Sequence, residues 1–215
     1  MNKYLSILTN FGCHFTCPYC IVRKNGIDIP KTTVQSLDGL ERAIKDTGCN
    51  IISVSGGGDP LHNYQAHRDF YDRLFFLCKE HNLPIEMHTS YKNSAFPYHK
   101  CVRVVYHLQK FDDLWHIKRR GNEIVRVVFV VTEDFTESDL GRISMFVRQS
   151  TDIDELSFRQ MVDENYETKF HLHDLLRVGH HEGWWYYIQQ GDYNTYFVNG
   201  RLTTSYQSLK EKPNV

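Results

Sequence analysis

Residues 11–24 read FGCHFTCPYCIVRK and set Cys13, Cys17 and Cys20 within eight positions. The run before them, KYLSILT from Lys3 to Thr9, is apolar enough to read as a strand, so the three thiols sit on the loop that leaves it. A structural zinc site takes four ligands, commonly two Cys-x2-Cys pairs far apart in sequence. Cys17 and Cys20 make one such pair, no second pair follows, and His14 adjoins Cys13 too closely to share its ion readily. A disulfide framework does not suit a chain whose other cysteines are scattered. A thioredoxin-like reading stays open, because Cys17-Pro18-Tyr19-Cys20 has the Cys-x-x-Cys form after a strand. That motif normally opens a helix, however, and has no use for Cys13. Three thiolates on one short loop suit a [4Fe–4S] cube in which one iron has no protein ligand. An iron left open in that way marks a reactive centre rather than a structural one.

Downstream, strand and helix signals alternate. VQSLDGLERAIKDTG predicts a helix with Leu37, Leu40 and Ile44 on one face and Gly48 as its stop. NIISVSGGG reads as a buried strand running into glycines. YQAHRDFYDRLFFLCKEHN predicts a helix with Phe70, Leu74, Phe75 and Cys78 inward. LPIEMHTS and CVRVVYHLQ are the third and fourth strands, joined by an irregular link containing Pro97. FDDLWHIKRR suggests a short helix. IVRVVFVVT is the strongest strand signal, β-branched and nearly continuous. TESDLGRISMFVRQS predicts a helix opened by a capping box of Thr136 and Asp139. ELSFRQM is a sixth strand and KFHLHDLLRVGHH a sixth helix.

Six such βα units argue for a parallel sheet with right-handed crossovers. They are too few for the closed eight-unit barrel, so the expected fold is α/β, an open, partial TIM-like (β/α)6 barrel. The tail changes character at WWYYIQQGDYNTYFVNGRLTTSY, where Asn199-Gly200 predicts an antiparallel hairpin. The expected organisation is a single domain: a barrel core over residues 1–183 and an aromatic hairpin extension over 184–215 packed on it.

Composition bounds the function. The chain has 215 residues, 41% of them hydrophobic, which supports one packed domain rather than disorder. Its 25 Lys and Arg nearly balance 26 Asp and Glu, for a formal charge of −1. No global field draws it to nucleic acid, and the one tight basic cluster is Lys118-Arg119-Arg120. The first twenty residues lack a signal-peptide pattern, and no apolar run reaches the ~20 residues that span a bilayer. A soluble, cytoplasmic protein is expected. Cys49, Cys78 and Cys101 stand alone and read as small buried hydrophobes.

The spacing Cys13-x3-Cys17-x2-Cys20, with Tyr19 before the last cysteine and a strand before the first, resembles the signature of the radical S-adenosylmethionine (SAM) superfamily. The resemblance covers strands one to six, roughly Lys3 to Met161. It implies a [4Fe–4S] cluster on Cys13, Cys17 and Cys20, with the methionine amino and carboxylate groups of SAM on the fourth iron. It also implies an electron donor such as flavodoxin or ferredoxin, reductive cleavage of SAM, and a 5′-deoxyadenosyl radical that takes a hydrogen atom from substrate. The family fold is the partial barrel already expected from the six units.

SVSGGGDPL, Ser53 to Leu61, is similar to the family's Gly-Gly-Glu motif at the end of strand two. Gly57, Gly58 and Asp59 occupy its positions, Asp59 being one methylene shorter than the usual Glu. The resemblance implies that the glycine backbone approaches the SAM ammonium closely. Thr89 and Ser90, ending strand three, match a polar position near SAM, with strand-end capping as the equal alternative. Tyr106 and His107 end strand four. The run from Val128 to Val131 faces the adenine or, in the favoured reading, mostly packs the core. Arg159 and Gln160 lie near the end of strand six, where an arginine pairs with a carboxylate of SAM or substrate, or else sits solvated at the rim. His171 and His173, two apart on a helix, point different ways and are not read as metal ligands. Trp184, Trp185, Tyr186, Tyr187, Tyr193, Tyr196 and Phe197 seal the open barrel in the favoured reading, or stack on a planar substrate.

No second cysteine cluster follows, which disfavours branches of the family that use auxiliary clusters. The leading expectation is an enzyme that rearranges or functionalises an unactivated C–H bond of a small polar substrate, nucleobase-, nucleotide- or amino-acid-like. The reading extends to a modified base in DNA, and the near-zero net charge weighs weakly against it. One alternative is an activase that installs a glycyl radical on a partner enzyme. Another is a non-enzymatic iron–sulfur binding module, which the intact cysteines and glycine motif disfavour.

Overall fold

All six strand-like stretches are strands in the computed structural model, which describes residues 3–24, 26–90, 92–161, 167, 185–188, 195–205 and 207–209. They are β1 (Tyr4–Thr9), β2 (Ile51–Gly56), β3 (Ile85–Thr89), β4 (Arg103–Leu108), β5 (Ile124–Val131) and β6 (Glu155–Gln160). Each pairs parallel with the next. Helices α1 (Ile21–Lys24), α2 (Leu40–Thr47), α3 (Arg68–Glu80) and α4 (Glu137–Gln149) and several 3-10 turns connect them. Three tail strands, β7 (Trp185–Ile188), β8 (Tyr196–Val198) and β9 (Arg201–Thr203), complete a sheet of order β7-β6-β5-β4-β3-β2-β1-β8-β9. Its edges, β7 and β9, do not pair among the described residues, so this is the open, partial barrel that six units predict. No helix among the described residues is long and apolar enough to cross a membrane.

Local signals were mostly followed. Asp139 N donates to Thr136 Oγ1 at 3.2 Å and Thr136 N to Asp139 Oδ2 at 3.0 Å, so the capping box opens α4 by satisfying its first donors. The helix expected over VQSLDGLERAIKDTG is two pieces, a 3-10 turn at Val34–Leu37 and then α2. The break has a tertiary cause: a Cβ at Gly39 would stand 2.8 Å from Gly200 O, and Ser36 Oγ donates to Asn199 Oδ1 at 3.0 Å. The tail turn is pressed against this point. FDDLWHIKRR yields only a 3-10 turn at Phe111–His116. The sixth helix, His171, His173, Trp184 and Tyr193 lie outside the described residues.

The expected tail hairpin is present as β8 and β9, with Phe197 opposite Leu202. Asn199 and Gly200, at φ 46° and 81°, both take the left-handed turn conformation that an Asn-Gly pair favours. The described tail strands also extend the parallel sheet. β7 joins β6 in parallel at one edge of the sheet, and β8 joins β1 in parallel at the other. Tyr196 and Phe197 are buried, Phe197 in the main apolar core.

Alternate strand residues point to opposite faces. On one face Leu5, Ile7, Ile52, Val54, Met87 and Phe129 join Leu40, Phe70, Leu74, Leu140 and Ile143 of the helices in one cluster. Cys49, Cys78 and Cys101 are buried there, as expected. The other face is mostly polar: Ser6, Ser53, Glu86, His88, Arg103, His107, Arg126, Glu155, Ser157 and Arg159 occupy the alternate positions, while Leu8 packs with Ile27, Ile29, Tyr196 and Val198. Val105 and Val128 form a two-residue apolar cluster of their own on it.

Candidate active site

The cysteine loop leaves β1 at Asn10, whose N–H donates to Thr32 Oγ1 at 2.8 Å. Phe11 anchors it: the ring is buried, stacks on His67 at 3.8 Å and meets Phe70 edge-on at 5.2 Å. Past Gly12 the chain turns through the three thiols, with Cys20 N donating to Cys17 O at 3.1 Å, and runs into α1. All three cysteines are partly exposed and unpaired. Donors that reach their sulfurs include Phe15 N to Cys13 Sγ at 3.4 Å, Gln109 Nε2 to Cys17 Sγ at 3.3 Å, and the Tyr19 hydroxyl to Cys17. Among the described residues no three His, Cys, Asp or Glu side chains converge on one point as ligands of a single ion would. All three thiols line a cavity of about 710 Å³.

Burial pushes the Cys13 and Cys17 thiols up, and the neighbouring thiol charges push the same way. A cationic metal centre reverses that balance, since a coordinated thiol is deprotonated outright. Three soft donors beside an open volume therefore fit an iron–sulfur cluster. Burial also raises Tyr19, whose hydroxyl contacts the Cys17 thiol.

The glycine loop is clamped to the cysteine loop. Asp59 N donates to Gly12 O at 2.9 Å and Gly57 N to Thr9 O at 2.8 Å. A Cβ at Gly58 would stand 2.3 Å from Gly12 O, and one at Gly56 1.9 Å from Gly58 O. Glycine is needed here for the approach of two protein loops, a reason the sequence did not disclose. Asp59 is buried and accepts three hydrogen bonds: Oδ1 from Leu61 N at 2.9 Å and Thr89 Oγ1 at 2.7 Å, and Oδ2 from Ser90 N at 2.6 Å. It joins the end of β2 to the end of β3, so Asp59, Thr89 and Ser90 form one hydrogen-bonded unit.

The three cysteines, Tyr19, Gly57 to Asp59, Thr89, Ser90 and Arg159 all border the same cavity. Of the run Val128 to Val131, Val130 borders it, while Val128 packs on Val105. Tyr106 is turned into the helix-side core, but His107 lines the cavity.

Sequence reasoning missed the polar face behind these residues. Arg103 Nη1 donates to Glu86 Oε2 at 2.7 Å and its Nη2 to Glu155 Oε1 at 3.2 Å. Arg126 Nε donates to Glu155 Oε2 at 2.6 Å. His88 Nε2 lies 2.7 Å from Glu86 Oε1, and His88 Nδ1 lies 3.0 Å from His107 Nε2. Burial works to raise the Glu86 carboxyl, but hydrogen bonds from His88 and Arg103 outweigh it and hold it at about 2. Ser6 and Ser53, register neighbours on β1 and β2, are buried at the cavity with no partner for either hydroxyl. The available signal was polar residues at every second position, as in Glu86/His88 and Glu155/Ser157/Arg159.

Comparison with known proteins gives two findings. A family model described as the Radical SAM superfamily matches residues 7–140. Among solved structures the chain is similar to Streptococcus suis SuiB bound to S-adenosylmethionine, with a TM-score of 0.57, 17% sequence identity, and cover of 82% of this chain and 42% of that one. At that identity the likeness concerns the fold, and this chain spans less than half of the neighbour's length. No curated protein matches the chain.

Proposed function

The chain belongs to the radical SAM superfamily, whose model matches it over residues 7–140, and from that premise we propose that it cleaves SAM reductively to act on a small polar substrate. Cys13, Cys17 and Cys20 would hold a [4Fe–4S] cluster, one ligand short of its four irons, and SAM would fill the cavity beside them. When bound, cluster and SAM supply a 5′-deoxyadenosyl radical that takes a hydrogen atom from the substrate. The single observation that supports this most is the gathering of three unpaired thiols, the glycine loop and Arg159 around one cavity of about 710 Å³.

The chain's own residues have definable parts in it. The Gln109 amide, donating to Cys17 Sγ at 3.3 Å, stabilises negative charge on that sulfur and so bears on the cluster's potential. Gly58 keeps the loop after β2 against Gly12, holding the glycine backbone at the cavity rim. Asp59 fixes Thr89 and Ser90 through three of its acceptor sites and, lining the cavity itself, keeps acceptor capacity on Oδ2 for a ligand. Arg159 offers a planar guanidinium for the carboxylate of SAM or of substrate. The substrate is nucleobase-, nucleotide- or amino-acid-like, a modified base in DNA falling within the same class. A flavodoxin or ferredoxin would supply the electron.

Anaerobic reconstitution tests the reading. The protein should take up about four irons and four sulfides, and Cys17→Ala should lose the brown chromophore. Reduced, it should turn SAM into 5′-deoxyadenosine. Stoichiometric zinc without iron in anaerobically prepared protein would overturn the proposal.

A further inference from the structure

The polar face carries an arrangement that cluster and SAM binding leave unexplained. Its lowest layer is electrically closed: Glu86 and Glu155 are matched by Arg103 and Arg126 through hydrogen bonds of 2.6 to 3.2 Å. Above that layer, nearer the cavity, two imidazoles stand in series on Glu86. His88 Nε2 is bonded to the carboxylate, His88 Nδ1 to His107 Nε2, and both rings line the cavity. The His107 nitrogen left over is Nδ1.

Hydrogen counting fixes what that nitrogen can do. Glu86 is ionised and accepts, so His88 carries hydrogen on Nε2. Two ring nitrogens 3.0 Å apart share one hydrogen between them. With His88 neutral, its Nδ1 is a lone pair, His107 donates from Nε2, and His107 Nδ1 is a bare base. With His88 protonated, His88 donates from Nδ1, and the hydrogen on His107 moves to Nδ1, where it is an acid. Charge thus rests on His88 beside the carboxylate. Burial, His88 and Arg159 together hold His107 well below the usual imidazole range, so it stays neutral in both states. The groups facing the pair from each strand are Glu86 on β3, Arg103 on β4, Arg126 on β5, and Glu155 and Arg159 on β6.

Transfer of a hydrogen atom moves no net proton, so a base poised at this cavity implies a reaction that moves one besides. Ser6 and Ser53 supply a second clue: their buried, unpartnered hydroxyls are suited to hydroxyl groups of a ligand. We infer that Glu86, His88 and His107 form a proton relay serving a hydroxyl-bearing substrate, with His107 Nδ1 as the atom that exchanges the proton. This rests on the radical SAM reading for its partner step. In the transfer the substrate O–H bond breaks, its electron pair stays on oxygen, and the proton bonds to His107 Nδ1. The Nε2–H bond of His107 breaks in turn, its proton passing to His88 Nδ1 and leaving an imidazolium against Glu86. His107 is the catalytic residue; His88 and Glu86 position it and store the charge.

Nitrogen-15 NMR of the full chain, labelled at histidine, reads the relay directly and needs no cluster. On acidification His107 should stay neutral and switch from the Nε2–H to the Nδ1–H form in step with protonation of His88. Glu86→Gln, which takes the negative charge away from His88 Nε2, should move that switch to lower pH. Should that variant misfold, His88→Gln, which leaves the Glu86–Arg103 pair intact, should abolish the switch. Two independent titrations, or a His107 that becomes charged first, would overturn the relay. In reduced, cluster-loaded enzyme, ribonucleoside-dependent 5′-deoxyadenosine formation should show a pH limb that follows the switch and flattens in His88→Gln. An unchanged limb would overturn the catalytic role, and no response to any ribonucleoside would overturn the hydroxyl-bearing substrate. A cluster that fails to assemble leaves the NMR switch intact and counts against the radical SAM reading alone.

Discussion

The same strands, β1 to β6, present two opposite chemistries. Toward the helices they bury Leu5, Ile7, Val54, Met87, Phe129 and Phe158 in one apolar cluster. Toward the cavity they bury Ser6, Ser53, Glu86, Arg126 and Ser157. The first face gains ~1.5–3 kcal/mol for each large side chain removed from water. The second gains little: a paired buried charge roughly breaks even, and an orphaned hydroxyl costs about 1–3 kcal/mol. One face therefore folds the molecule, and the other is retained at the expense of stability.

The comparison can be tested by substitution. Phe129→Ala, on the helix face, should lower unfolding stability by ~3–5 kcal/mol in denaturant titration. A loss under 0.5 kcal/mol, typical of a surface site, would break the contrast at once. Asp59→Ala at the boundary of the two faces removes a charged acceptor from three donors and should lower stability by ~3 kcal/mol. Asp59→Glu should also destabilise, by ~1–3 kcal/mol, because the joint to Thr89 and Ser90 is already filled. A stabilised Glu variant would show that the shorter side chain is not matched to its place.

Acid should act on the polar face in two stages. His107 is held neutral below its ordinary 6.5, so the unfolded chain binds the extra proton and stability declines as pH falls below 6.5. Glu86 is held at about 2 against an ordinary 4.5; its contribution is complete above 4.5 and is lost as pH falls from there toward 2. Glu86→Gln should remove the second stage, checked by melting temperature against pH. The smallest effect should come from Ser6→Ala and Ser53→Ala. Each deletes an unpaired hydroxyl and should leave stability unchanged or raise it by up to ~1 kcal/mol. A loss of several kcal/mol from either would mean that these hydroxyls are structural and that the polar face is not spared for a ligand.

The tail divides in the same way between what a short window discloses and what it does not. Asn199-Gly200 announced its turn because both residues accept positive φ, a property of the pair alone. The aromatic run before it gave no sign that β7 would add to β6 while β8 added to β1. Trp185 to Ile188 and Tyr196 to Val198 are equally strand-like, and edge choice depends on which strand each meets. Gly58 was legible as a glycine needing close approach. That Gly12 O is what approaches it, across 46 residues of chain, was not.

By itself the sequence determined the three-cysteine loop after the first strand, the six parallel strands of the barrel, the capping box of α4 and the tail turn. Each is settled by residues within a few positions of one another, where steric preference, periodicity and capping act. Tertiary structure alone decided that Asp59 ties the end of β2 to Thr89 and Ser90 at the end of β3, that His88 bridges Glu86 and His107, and that Ser6 lies beside Ser53 with both hydroxyls unmatched. Alternation tells which residues of a strand share a face. Only the order and register of the sheet tell which of them meet, because hydrogen bonds and ion pairs are made across strands far apart in the chain.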